Sequence, residues 1–235
     1  MGYGLMASKY LGYAMVVSTA FFAGTFAVFT YDLTAQEVSY ATLLAGSALL
    51  GAYTVMAWLL GASLKLRNGK DMLALGTIIM SFILALGAIL TAGSVYSRRN
   101  FITSLACPAY STQCMELAGL ISYPVALGLL TTGLIGTYTL TYLLIKEVEA
   151  TYWIKDYGSL LVLVSGILVI AASILAAARL IATSFAATLP PETLLYALTL
   201  AVGTVLYVSA VFFALGVITC CYLLSRELIK TDTPG

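Results

Sequence analysis

Cys107 and Cys114, in "CPAYSTQC", are the pair in this chain best placed for covalent chemistry. Outside the cytoplasm so close a pair forms a disulfide, and Pro108 with the turn residues after it lets the chain close back. A structural bridge is expected. Thiol–disulfide exchange with a membrane quinone is the rival, but it favours a low-pKa thiolate, typically in Cys-X-X-Cys, and this spacing is wider. Cys220 and Cys221 are adjacent, point in different directions on a helix, and read as small packing residues.

A second group is cationic. Arg98 and Arg99 sit side by side, and Arg179 is placed near the same membrane face, where its stem can snorkel. Such guanidinium groups could hold lipid phosphate, an anionic ligand or a partner's carboxylates, and pairing with Glu116 or headgroups is the plainer role. A third group carries hydroxyls inside apolar runs: Tyr53 and Thr54, then Tyr138 and Thr139. These could line a polar pocket for a neutral substrate or a quinone. The plainer alternative is hydrogen bonding to the backbone or to a neighbouring helix.

Other chemistry is missing. Histidine is absent, which argues against haem, copper and most zinc sites. There is no glycine-rich phosphate loop, nucleophile elbow or metal-spaced cluster. No cofactor, metal or catalytic residue is therefore assigned. A net charge of +1 gives no electrostatic footprint for nucleic acid.

The elements that must position these groups follow from composition. The chain has 235 residues, of which 61% are hydrophobic and 9% charged, and its mean hydropathy is +1.01. Soluble domains carry roughly 25% charged residues. This chain needs lipid. Its side-chain amides are only Asn68, Asn100, Gln36 and Gln113, a scarcity that suits a thermophile and a membrane chain alike.

Apolar runs near 11–30, 40–62, 72–95, 117–145, 157–181 and 193–224 predict six spanning helices. The first is read as a retained helix rather than a cleaved signal, and "MGYGLM" lacks the myristoylation pattern. Thr188 and Pro190 or Pro191 would start the sixth helix. Several runs are longer than a hydrocarbon core of about 30 Å requires, so those helices must tilt or protrude.

Orientation follows the basic residues. Lys9, Lys65, Arg67, Lys70, Lys146, Lys155, Arg226 and Lys230 fall on one side, against Arg98, Arg99 and Arg179 on the other. This bias predicts cytoplasmic N- and C-termini.

The chain also echoes itself. An offset of 85 positions lays residues 41–95 on 126–180 without a gap. "GAYTVMAWLL" then meets "GTYTLTYLLI", and Lys70–Asp71 meets Lys155–Asp156. About a quarter of positions agree, against roughly 8% by chance, which suggests a duplicated two-helix unit. Small residues four apart mark packing faces: Ala57 and Gly61; Gly128, Thr132 and Gly136; Ala172 and Ala176; Ala197 and Ala201.

The expected fold is all-α: a polytopic six-helix transmembrane bundle in a single domain spanning residues 1–235, with an outer loop at 97–116 closed by the disulfide. Expected partners are membrane lipids, and other membrane subunits or further copies of the chain. The expected function is that of a non-catalytic accessory or scaffold subunit. The alternatives are a channel or carrier for a small neutral or lipid-like substrate and, behind it, a membrane thiol–disulfide oxidoreductase.

Overall fold

A computed structural model describes residues 2–34, 40–67, 71–101, 112–185 and 192–230, and all but the turn at 153–156 are helical. The helices are α1 (Gly2–Thr34), α2 (Tyr40–Arg67), α3 (Asp71–Phe101), α4 (Thr112–Tyr152), α5 (Tyr157–Phe185) and α6 (Glu192–Lys230). Long apolar segments become helices because a helix satisfies every backbone polar group internally, as lipid demands. Charge marks the ends. Lys65 and Arg67 close α2 and Asp71 opens α3, each complementing the helix dipole. Lys65 Nζ lies 3.2 Å from Asp71 Oδ2 across that corner.

Among the described side chains, four helices are long and apolar enough to cross a membrane. Their candidate spans are Met6–Tyr31, Leu44–Arg67, Tyr157–Ala178 and Leu200–Lys230, and α3 adds a shorter apolar run, Asp71–Gly87. Their outward faces carry Val17, Phe21, Trp58, Phe82, Ile170 and Ile174 exposed, as lipid-facing surfaces do. At 41 residues, α4 is about 62 Å long at 1.5 Å per residue.

Consecutive helices pack side by side, and α1 also meets α6, so the bundle closes on itself. Helix α4 leans inward and touches α2 and α6 as well as its chain neighbours. Gly12 of α1 sits against Ser225, Leu228 and Ile229 of α6, which puts the start of the first helix beside the end of the last. At the same end, Tyr152 of α4 donates to the Ser63 carbonyl of α2 at 2.5 Å, with Arg67 stacked 5.2 Å from its ring. Buried Met15, Phe22, Met56, Leu60, Leu144, Val148, Val217 and Leu224 form the core between α1, α2, α4 and α6.

Small residues set the closest approaches. In the α3–α4 seam, Gly76 faces Leu140, Gly136 faces Met80, and Gly133 presses on the backbone of Leu84. The seam therefore runs through residues 133, 136 and 140, while Thr132 is exposed. The expected Gly128–Thr132–Gly136 stripe is thus turned by one position, because Leu140 rather than Thr132 continues the buried face. Ala57 and Ala172 are buried as expected, and Gly61 meets Ala74 of α3. Ala197 is exposed, and the tight α5–α6 contact is made instead by Gly158 and Gly216.

Candidate functional site

Two places gather polar groups inside the bundle. The first is a seam of rings and hydroxyls at its centre. Phe213 of α6 stands between Tyr53 of α2 and Tyr138 of α4, with ring centroids 5.4 Å and 4.6 Å away. The Tyr53 hydroxyl hydrogen-bonds Thr141 of α4. Ser209 Oγ lies 2.8 Å from the Ser165 carbonyl and 3.1 Å from the Tyr138 hydroxyl. A serine has one proton; with that proton on the carbonyl, the tyrosine donates to the serine. The seam thereby ties α2, α4, α5 and α6 together.

The two tyrosines named as candidates for a polar pocket both pack against the Phe213 ring. The two threonines do not join them. Thr54 donates back to the Leu50 and Gly51 carbonyls of its own helix, and Thr139 is exposed. The geometric reason is helical phase: successive residues lie about 100° apart, and in both helices the tyrosine takes the inward direction and the threonine the neighbouring, more open one. Most other buried hydroxyls are also spent on their own helix, as with Thr77 on Leu73, Ser81 on Ile78 and Ser165 on Val162. Thr137 is the exception among the described residues, its hydroxyl buried without a partner.

The second place is the corner between α4 and α5. Glu149 is in the last turn of α4, past the apolar stretch that ends at 145, yet it is only 1% exposed. Its Oε1 accepts the backbone N–H groups of Gly158 at 2.9 Å and Ser159 at 3.1 Å, capping the first turn of α5. Its Oε2 is buried and has no partner. Burial pushes the carboxyl pKa above its ordinary value, against the opposing pull of hydrogen bonds from Ser159 and Gly158; the Asp156 charge adds to the rise.

Local structure fixes this arrangement. After α4 the chain turns at Trp153, a non-glycine residue with φ of 55°, and the Ile154 N–H returns to the Glu149 carbonyl at 3.0 Å. This is a Schellman-type ending, a position usually given to glycine. The left-handed tryptophan is 90% exposed. Gly158 is required for the approach: a Cβ there would lie 2.8 Å from Cys220 Cβ and 2.9 Å from Glu149 Oε1. Beside the carboxyl opens a cleft of about 600 Å³, lined by Glu149, Ala150, Trp153, Ile154, Lys155, Asp156 and Tyr157.

Glu149 was not among the residues that type and spacing singled out. One signal pointed to it: the 85-residue offset lays Glu149 on Leu64, which is fully buried. Phe213, Ser209 and Thr141 gave no pattern at all. Cys220 and Cys221 are free and buried, in agreement with a packing role. Cys107 lies outside the described residues, as do the side chains of Cys114, Arg98, Arg99 and Arg179. Their backbones place Arg98 and Arg99 in α3, Cys114 in the first turn of α4 and Arg179 in α5, so α3 and α4 both reach into the stretch 97–116. Thr188, Pro190 and Pro191 also lie outside the described residues, just before the start of α6 at Glu192.

No cluster of metal-ligating side chains occurs among the described residues. Compared with known proteins, the chain matches no protein family, no curated protein and no solved structure.

Proposed function

We propose that the chain is a six-span membrane protein with both termini in the cytoplasm, acting as a non-catalytic accessory or scaffold subunit of a larger membrane assembly. The observation that carries this reading is the seam of packed rings between α2, α4 and α6. Tyr53, Phe213 and Tyr138 pack together, and the hydroxyls of Tyr53, Thr141, Tyr138 and Ser209 bond to one another or to backbone. Such interhelical bonds rigidify packing in lipid. Topology is supported by Lys65, Arg67, Lys146, Lys155, Arg226 and Lys230, which belong to the end where α2, α4 and α6 finish. A duplicated two-helix unit is supported by the way Tyr53 and Tyr138, equivalent under the 85-residue offset, both stack on Phe213.

In this reading Arg98, Arg99 and Arg179 serve as contacts for headgroups or a partner on the opposite face, and Cys107 bridges to Cys114. Extraction in mild detergent followed by native mass measurement tests the subunit role. Foreign subunits retained in fixed ratio are the expected result. A lone species that passes a neutral solute in liposomes overturns the reading in favour of a carrier. Thiol labelling tests the bridge, which is absent if both cysteines react without reductant.

A further inference from the structure

The corner carboxyl has a geometry that the packing role does not use. In an ionised carboxylate both oxygens are equivalent acceptors, and each seeks donors. Glu149 divides its oxygens unequally. Both N–H bonds fall on Oε1, while Oε2 is enclosed without a donor. A charge shared onto an enclosed oxygen that no donor reaches is costly, and that cost favours the neutral acid. Around it stand Val148, Cys220 and the Gly158–Gly216 crossing, a setting that penalises a bare charge.

We infer that Glu149 is a proton-operated latch: protonated on Oε2 it holds the first turn of α5 to the end of α4, and on deprotonation it turns into the adjoining cleft and frees that turn. The proton passes from Oε2 to water at the cleft mouth. The Gly158 and Ser159 N–H bonds favour the resulting charge, but burial penalises it more, so the carboxylate exchanges them for full solvation. The groups facing it set the balance. Asp156 of the turn repels the charge, Lys155 and Tyr157 line the cleft that would receive it, and Cys220 faces it from α6. On α4 itself Lys146 is exposed and Tyr152 is committed to Ser63. On α2, Lys65 pairs with Asp71 and Arg67 stacks on Tyr152. The raised carboxyl pKa agrees with this geometry. Trp153, with φ of 55°, holds the strained backbone of this corner.

Amide hydrogen exchange of the full chain in lipid nanodiscs, read across pH and corrected for intrinsic rate, tests the latch. Protection at Gly158 and Ser159 should fall at least tenfold as pH rises through one midpoint, while Ala74 and Leu75 of the α2–α3 corner stay unchanged. Glu149→Gln keeps the acceptor but cannot ionise, and it should hold the protection constant at every pH. Asp156→Asn, which leaves the latch in place, should move the midpoint to lower pH. PH-independent protection in the native chain overturns the proposal. So does a pH dependence that survives in Glu149→Gln, or a midpoint that ignores Asp156→Asn. Should Glu149→Gln fail to fold, the native profile and the Asp156→Asn shift decide alone.

Discussion

The two corners where α2 meets α3 and α4 meets α5, which the 85-residue offset aligns, are held in opposite ways. The 85-residue offset matches Leu64 with Glu149 and Asp71 with Asp156. In the α2–α3 corner the inward position is an apolar Leu64, and the acid is an exposed partner of Lys65. In the α4–α5 corner the inward position is itself the acid. Asp156 there contributes its backbone, receiving the Ser159 hydroxyl at 3.3 Å and the Leu160 N–H at 3.2 Å. An exposed ion pair is worth little and is screened by salt, so the first corner rests on packing. The second rests on the protonation state of one side chain.

Exchanging the contents of the corners is the strongest way to break this comparison. Leu64→Glu places a carboxyl where no donor has been prepared, and it should destabilise the fold by about 3–5 kcal/mol, the range for an uncompensated buried charge. Unfolding in mixed micelles measures it, and native-like stability would show that the first corner is open to water. A packed glycine and an open one are the next contrast. Gly133→Ala must displace the Leu84 backbone and should cost about 1–3 kcal/mol. Gly51→Ala meets nothing within 4 Å and should raise stability by up to about 1 kcal/mol through helix propensity. Equal effects would mean the two helix faces are interchangeable.

A subtler difference lies in pH. The folded chain raises the Glu149 pKa above its ordinary 4.5, so the native state binds the proton more tightly than the unfolded one. That contribution is complete below pH 4.5 and is lost as pH rises through the raised value, at about 1.4 kcal/mol per unit of difference. Thermal unfolding should therefore occur at progressively lower temperature as pH rises through that window. Glu149→Leu, which copies the first corner, should flatten the trend. The smallest effect is at the central seam: Tyr138→Phe removes one hydroxyl from Ser209 and should cost about 0.6 kcal/mol, the mean for interhelical bonds in lipid. A much larger loss would mean the seam is more than packing.

Helix number and position were readable because apolar runs of this length admit one backbone solution. The faces were harder. Ala57, Gly61 and Ala172 fell where small-residue spacing put them, but Gly158 and Gly216 were invisible, since each looks unexceptional until its helix crosses another. Tyr53 and Tyr138 were legible as interior polar groups, while their partners came from helices whose phase no local pattern reveals. Glu149 was misleading for a physical reason. Glutamate near a helix end usually reaches water, and only the return of α5 across it closes that route.

The meeting of α1 with α6 bears on how the molecule is made. The first and last helices pack together, and Gly12 rests directly on Leu228 and Ile229. During synthesis α1 therefore waits, half-clad, until every later segment has left the ribosome. A chain stopped short of α6 keeps an unfinished groove along its first helix.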